Sequence, residues 1–325
     1  MNDVLTTRVA ALQVDTRIGD TQYNLTRCKA LVEEACQAGA QWIALPEFFN
    51  TGVSWQPSLV NAIEDENGLS AQMLQTLSSQ HKIVLGGSFL CRLADGSVRN
   101  RYQCYNRGEL VGYHDKDLPT MWESAFYEGG DAGDTGELGI IDGVRVGTAV
   151  CWEFLRTATS RRLRGKVDVI IGGSHWWSIP ENWPVLYPWL EPGNRENSLQ
   201  TVQDTARLVG APIIHASHCN DFSCPMPGLP LTYCGHLEGQ AAIVDGQGNL
   251  VAHRTYEQGP GIVLADICML AVEPAEPVPD RFWLRRRGLV PAFSWHLHGM
   301  LGRRWYKQNV KNAQPSIATG EAPAQ

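Results

Sequence analysis

Gly147-Thr148-Ala149-Val150-Cys151-Trp152-Glu153 reads as a short apolar strand that ends on a cysteine. Strand ends in α/β proteins open into a loop or a helix start, where a side chain can meet a ligand. Backbone N–H groups just past such a turn form an anion site, and a thiol beside them is a potential nucleophile. A free thiol is mostly protonated at neutral pH, so it needs a base or a cationic neighbour. Two further stretches offer them: Leu45-Pro46-Glu47-Phe48 and His114-Asp115-Lys116-Asp117-Leu118-Pro119-Thr120. Glu47 can take the thiol proton and return it to a leaving amine. Lys116 and the Trp152 N–H can hold a developing oxyanion, a contribution of about 3 to 4 kcal/mol per donor. The trio contains no histidine, which argues against a papain-like protease.

Outward from this centre, strand and helix patterns alternate. The spacing predicts a strand over 8–14, a helix over 24–38 stopped by Gly39, a strand over 42–45 and a helix over 69–80. A strand over 83–85 and a hairpin over 102–113, turning at Asn106-Arg107-Gly108, come next. Beyond the cysteine, a helix over 154–163, a strand over 167–171, a helix over 198–209 and a strand over 212–214 follow. A hairpin over 241–251 and a last core strand over 261–265 complete the pattern. Such a mixed order predicts α/β sheets, each covered by helices on one face and packed sheet to sheet.

The 325 residues suffice for a large core. A net charge of −7 and a pI near 5.7 argue against a nucleic-acid partner. Nine cysteines without a framework point to reduced thiols and a cytoplasmic setting. No apolar run reaches the length of a membrane span, and no signal-peptide pattern precedes the first strand.

The motifs Leu45-Pro46-Glu47, Lys116-Asp117-Leu118-Pro119-Thr120 and Cys151-Trp152-Glu153, in that order, resemble the Glu–Lys–Cys signature of the nitrilase (carbon–nitrogen hydrolase) superfamily. The likeness extends to Glu128-Gly129-Gly130-Asp131 and Gly133-Asp134-Thr135 and covers roughly residues 5–268. It implies a four-layer α-β-β-α sandwich, assembled as a homodimer or larger homo-oligomer. It also implies hydrolysis of small non-peptide C–N bonds through a thioester, with no metal and no cofactor. By the resemblance, Glu47 is the base, Lys116 the oxyanion lysine, Cys151 the nucleophile and Glu123 a second active-site glutamate that orients Lys116 or positions water. Phe154-Leu155-Arg156-Thr157 departs from the true nitrilase branch, which typically has Asn or His and then Pro there. An amidase is therefore the favoured reading. A nitrilase using the same trio is the alternative, and an inactive scaffold or binding subunit is the rival from another class.

Other features carry plainer readings beside functional ones. Any lone cysteine is more often buried structure than nucleophile; the company of Glu47 and Lys116 reverses that for Cys151. Glu153 reads as a structural hydrogen-bonding or ion-pairing residue. His215, His218, Cys219, Cys224, Cys234 and His236 fit no standard zinc spacing, and no metal is expected. Ser174-His175-Trp176-Trp177, with Trp183 and Trp189 beyond, reads as core packing or as an aromatic wall over Cys151. On the second reading His175 and Trp176, with Trp152, contact the substrate and suit an apolar or aromatic acyl group. The stretch 224–230 reads as a rigid loop. The chain divides into a hydrolase domain over 1–270 and an extension over 271–325, expected to be an interface arm with a disordered end from about Asn312.

Overall fold

The computed structural model describes residues 6–274 and 276–311; the end expected to be disordered lies outside them. In chain order the regular elements begin with β1 (Thr6–Val14), α1 (Thr21–Gln37), β2 (Trp42–Ala44), β3 (Glu64–Asp65), α2 (Leu69–His81), β4 (Val84–Arg92), β5 (Val98–Asn106) and β6 (Glu109–Asp115). The second half holds β7 (Glu137–Ile141), β8 (Val144–Gly147), α3 (Thr157–Leu163), β9 (Val169–Gly173), α4 (Tyr187–Val209), β10 (Ile213–His218), β11 (Asp221–Pro225) and β12 (Thr232–His236). It ends with β13 (Gly239–Val244), β14 (Leu250–Thr255), β15 (Gly261–Cys268) and α5 (Leu289–Asn309).

The strand path runs β6-β5-β4-β2-β1-β10-β9-β8-β7, with β15 added to β1 and the β13–β14 hairpin added to β10. One half-sheet is built around β1 and β2, the other around β9 and β10. They join where β1 meets β10 in parallel, Gln13 opposite Ser217 and Val14 opposite His218. Val9, Ala11 and Ala44 of the first pack against Val146, Val169, Ile171 and Ile214 of the second. On the outer faces, α1 and α2 cover the first half through Cys28, Leu31, Val32 and Leu74. There α4 covers the second through Val202, Ala206 and Val209. The layers are α-β-β-α, as the alternation of patterns predicts. Central strands buried on both faces explain why their sequences read as continuous apolar runs.

Several elements differ from their sequence reading. Helix α1 starts three residues early because the Asp20 carboxylate caps the Tyr23 N–H. Helix α4 extends eleven residues upstream of Ser198, through Pro188 and Pro192. Pro188 costs nothing in a first turn, where N–H groups have no helical partner, and a proline-rich stretch still reads as a break. The helix expected over 154–163 begins only at Thr157; residues 151–153 form one 3₁₀ turn instead. The stretch 224–230 is partly strand, since Cys224 pairs with Tyr233 and Pro225 with Thr232 in the β11–β12 hairpin. Helix α5, unforeseen, lies in the extension.

Candidate active site

Glu47 follows β2, Lys116 follows β6, Cys151 lies just past β8 and His175 just past β9. All four leave the sheets at one end of the sandwich. Three tight turns aim them. Phe48, Met121 and Cys151 all have positive φ, at 52° each. That region disfavours residues with a Cβ by roughly 1–3 kcal/mol, and such strain gathers where packing dictates a side chain's direction. The Lys116 loop is pressed into place by Gly130, whose N–H bonds the Lys116 carbonyl at 2.9 Å. A Cβ on Gly130 would lie 2.2 Å from the Asp115 carbonyl oxygen, so only glycine fits.

The side chains converge. Glu47 Oε1 accepts from Lys116 Nζ at 2.8 Å and Asn100 Nδ2 at 2.7 Å, and Oε2 accepts from the His175 N–H at 3.0 Å. The Cys151 thiol lies beside the Glu47 carboxylate and the His175 backbone, near enough for each to bear on its proton affinity. Lys116 Nζ also donates to Glu123 Oε2 at 2.8 Å and Thr120 Oγ1 at 3.1 Å, so its three N–H groups are all engaged. Glu123 Oε2 further accepts from the Thr120 N–H and the Tyr127 hydroxyl, whereas its buried Oε1 has no hydrogen-bond partner among the described residues. Glu47, Lys116 and Glu123 are wholly buried.

Burial dominates the proton affinities. It pushes the Glu47 carboxyl up to about 7, with Lys116 opposing and Glu123 reinforcing. Burial also raises the Cys151 thiol well above its ordinary value, and the Glu47 charge adds to that. Lys116 stays charged, because Glu123 and Glu47 overcome its desolvation. At rest, therefore, the thiol holds its proton beside a carboxylate poised near neutrality.

The model of the family described as carbon-nitrogen hydrolase matches residues 8–194, more than half of the chain. The chain belongs to the carbon-nitrogen hydrolase family. Within the nitrilase superfamily, it resembles the mouse omega-amidase NIT2, 29% identical over 178 residues that cover 50% of this chain and 62% of that one. It also resembles an aliphatic nitrilase of Rhodococcus rhodochrous, 24% identical over 305 residues, 84% of this chain and 75% of that one. The match to a chloroplastic omega-amidase of Arabidopsis thaliana, 30% identical, covers 42% of this chain and only 40% of that protein. Among solved structures, the fold matches a carbon-nitrogen hydrolase of Helicobacter pylori G27 at a TM-score of 0.67 and 18% identity, over 81% of this chain and 89% of that one. An amidase mutant of Nesterenkonia sp. AN1, with acrylamide added at its active-site cysteine, matches at 0.58 and 19% identity, over 85% and 96%.

In this member of the family the Cys151 thiol lines a cavity walled by Trp122, Trp152, Trp176, Trp177 and Tyr233. His175 lines it too. Its Nε2 accepts from the Val53 N–H at 3.2 Å, which leaves the proton on Nδ1, and burial keeps the ring neutral. Trp176 is fixed by its indole N–H on Asn194 Oδ1 at 3.1 Å. Trp183 joins the wall, but Trp189 does not: it is 76% exposed on α4.

Glu153 does what its plain reading predicts. It accepts from the Val150 N–H at 2.8 Å, the Asp117 N–H at 3.1 Å, His114 Nε2 at 3.0 Å and Arg162 at 2.8 Å. The cysteine turn is thereby stapled to the lysine loop. Burial alone would raise this carboxyl, yet His114 and Arg162 hold it well below its usual range. His215 and His218 face different neighbours, Ser174 and the Glu47 carbonyl, so the six-residue zinc set does not assemble. A different trio, Glu191, His236 and Glu238, does converge within 4.8 Å. The Arg195 guanidinium already supplies the positive charge there, 3.3 Å from Glu238 and 4.0 Å from Glu191.

Sequence reasoning missed Asn100, Thr120 and Tyr127 as site residues. Asn100 sits mid-strand in β5 and Tyr127 four residues past Glu123, with no motif marking either. Thr120 belongs to the lysine motif, but nothing in that spacing reveals its bond to Lys116.

Proposed function

We propose that the chain is a cysteine-dependent hydrolase of non-peptide C–N bonds, acting on small neutral amides with an apolar or aromatic acyl group. The observation that carries this is that Glu47, paired with Lys116 and bonded by the His175 N–H, stands at the sheet end where His175 and Cys151 line one cavity. As Cys151 Sγ attacks the amide carbon, its proton passes to Glu47. Lys116 and the Trp152 N–H face the growing negative charge on oxygen, Lys116 chiefly through its field because its N–H groups are committed. The C–N bond then breaks, Glu47 gives its proton to the amine, and ammonia leaves a thioester. Glu47 next takes a proton from water, which attacks the thioester carbon; the acid departs and the thiol is restored. Every atom balances without a metal or cofactor. The free Glu123 Oε1 is suited to accept an N–H from the amide. The Nesterenkonia amidase carries its adduct on its active-site cysteine, the role we assign to Cys151.

A nitrile is the second reading, favoured by the breadth of the Rhodococcus nitrilase match. Sulfur addition would give a thioimidate, and water would release ammonia and then the acid by the same residues. A screen of small amides, carbamoyl compounds and nitriles, scored by ammonia and acid formed, separates the readings. An inactive scaffold predicts no product from any of them. All nine cysteines are unpaired, which suits a reducing compartment, and we place the enzyme in the cytoplasm. No helix among the described residues is long and apolar enough to cross a membrane. Leu289, Phe293 and Met300 of the extension are exposed by 87%, 63% and 58%, and suit a homo-oligomer contact that light scattering tests.

A further inference from the structure

Resting on the hydrolase reading, we propose that residues 281–300 complete the substrate cavity, and that Val290 and Ser294 set its size so that it takes a neutral aryl-bearing acyl group. The extension docks on the very stretch that departs from the nitrilase pattern. The Leu284 N–H donates to the Leu155 carbonyl at 2.8 Å, the Thr157 N–H donates to the Phe282 carbonyl at 3.1 Å, and Arg156 bridges Trp283. Arg156 is 1% exposed, pairs with Asp117 of the lysine loop, and lies 5.7 Å from the Trp295 ring. The departure at 154–157 is thus a docking strip, which is why the helix there starts late.

From this strip the extension rises over the nucleophile turn. Trp295 stacks on Trp152, 5.3 Å between centroids and 2° from parallel, and Trp283 meets both edge-on. Val290, Pro291 and Ser294 then line the Cys151 cavity. Val290 and Ser294, with Trp183 and Met226, also line a shallow outer hollow formed with Leu289, Phe293 and His298. They are therefore the partition between the thiol's cavity and the outside. Apart from the catalytic Glu47, Lys116 and Glu123 behind the thiol, no Lys, Arg, Asp or Glu among the described residues lines the inner cavity, and its one histidine is neutral. A carboxylate or ammonium on the acyl group would lose its hydration there with no opposite charge in return. Aromatic faces reward an arene.

The test uses the full chain and two parallel readouts. Ammonia release gives kcat/KM for propionamide, phenylacetamide and 4-phenylbutyramide. Intact-mass spectrometry gives Cys151 labelling rates with 2-chloroacetamide and 2-chloro-2-phenylacetamide. We expect the wild type to favour the aryl member of each set by about 10-fold or more, the scale on which apolar pockets discriminate. Ser294→Phe should cut the aryl-to-alkyl ratio by about 10-fold, and Val290→Ala should favour 4-phenylbutyramide. Aryl-selective labelling that Ser294→Phe abolishes, without turnover of any amide or nitrile, would refute the hydrolase reading and leave this inference standing. Labelling indifferent to the aryl group, or a selectivity that neither variant moves, overturns it.

Discussion

Chemistry here is decided by single side chains whose environments oppose their ordinary behaviour. Cys151→Ala should lower kcat at least about 10³-fold, because a nucleophile and its base act as a unit. It should also abolish any trapped adduct by mass spectrometry; full turnover by this variant would end the proposal. Glu47 must be ionised to receive the thiol proton, and its pKa lies at about 7. The acidic limb of kcat/KM should therefore fall near neutrality. Asn100 donates to the Glu47 carboxylate and so favours the charged form. In Asn100→Ala the limb should move upward by about one pH unit, the scale of one hydrogen bond to a charge. Rate measurements across pH 5–9 check this: a limb that stays in place would remove Asn100 from the account. Glu123→Gln keeps the shape but takes a negative charge from Lys116, and should lower kcat more than it raises KM.

At the scale of elements, the turn holding Glu123 is braced by α5. Gly302 of α5 lies so close to it that a Cβ would sit 2.3 Å from Ser124 Oγ and 2.9 Å from the Ala125 nitrogen. Gly302→Ala should push the helix outward and destabilise by about 1–3 kcal/mol. Thermal unfolding should show a Tm lower by several degrees, with kcat reduced because Glu123 moves with its turn. An unchanged Tm would mean that α5 does not brace the turn. The sequence reading of the extension as an interface arm missed this helix for a physical reason. Gly299 and Gly302 are poor helix formers and Pro291, harmless in the first turn, reads as a break; the packing of Trp295, Gly302 and Tyr306 holds the helix.

Across the whole molecule, His114 on β6 fastens the half-sheets, bonding Asp134 at 2.6 Å and Glu153 at 3.0 Å. Burial pulls its pKa down, but Glu153 and Asp134 prevail and raise it to about 9, against 6.5 when exposed. A raised base stabilises the fold fully below pH 6.5 and loses that contribution as pH climbs through 9. The loss should be on the order of 3 kcal/mol. Glu47 and Glu191, raised to about 7 and about 8, give slopes of the same sign up to those values, so His114 is read as the part of the slope that its removal takes away. Denaturation at pH 7, 8 and 9 should show falling stability in the wild type. His114→Gln should be weaker at pH 7 and fall less steeply from 7 to 9; an unaltered slope would relocate the effect.

The order of strands and helices, the layered class and the trio Glu47, Lys116 and Cys151 were legible in the chain itself. Apolar periodicity and short strand-end motifs are local signals, and a buried parallel strand advertises itself by its unbroken apolar run. What needed three dimensions were contacts between segments far apart in sequence. Asn100 on Glu47, Tyr127 on Glu123, Glu153 joining two loops, and the extension seated on residues 154–157 depend on distances that no spacing encodes. Proton affinities belong with them, since desolvation is set by how many layers close over a group. Sequence named the candidate reacting groups; packing decided their charge and what shares their cavity.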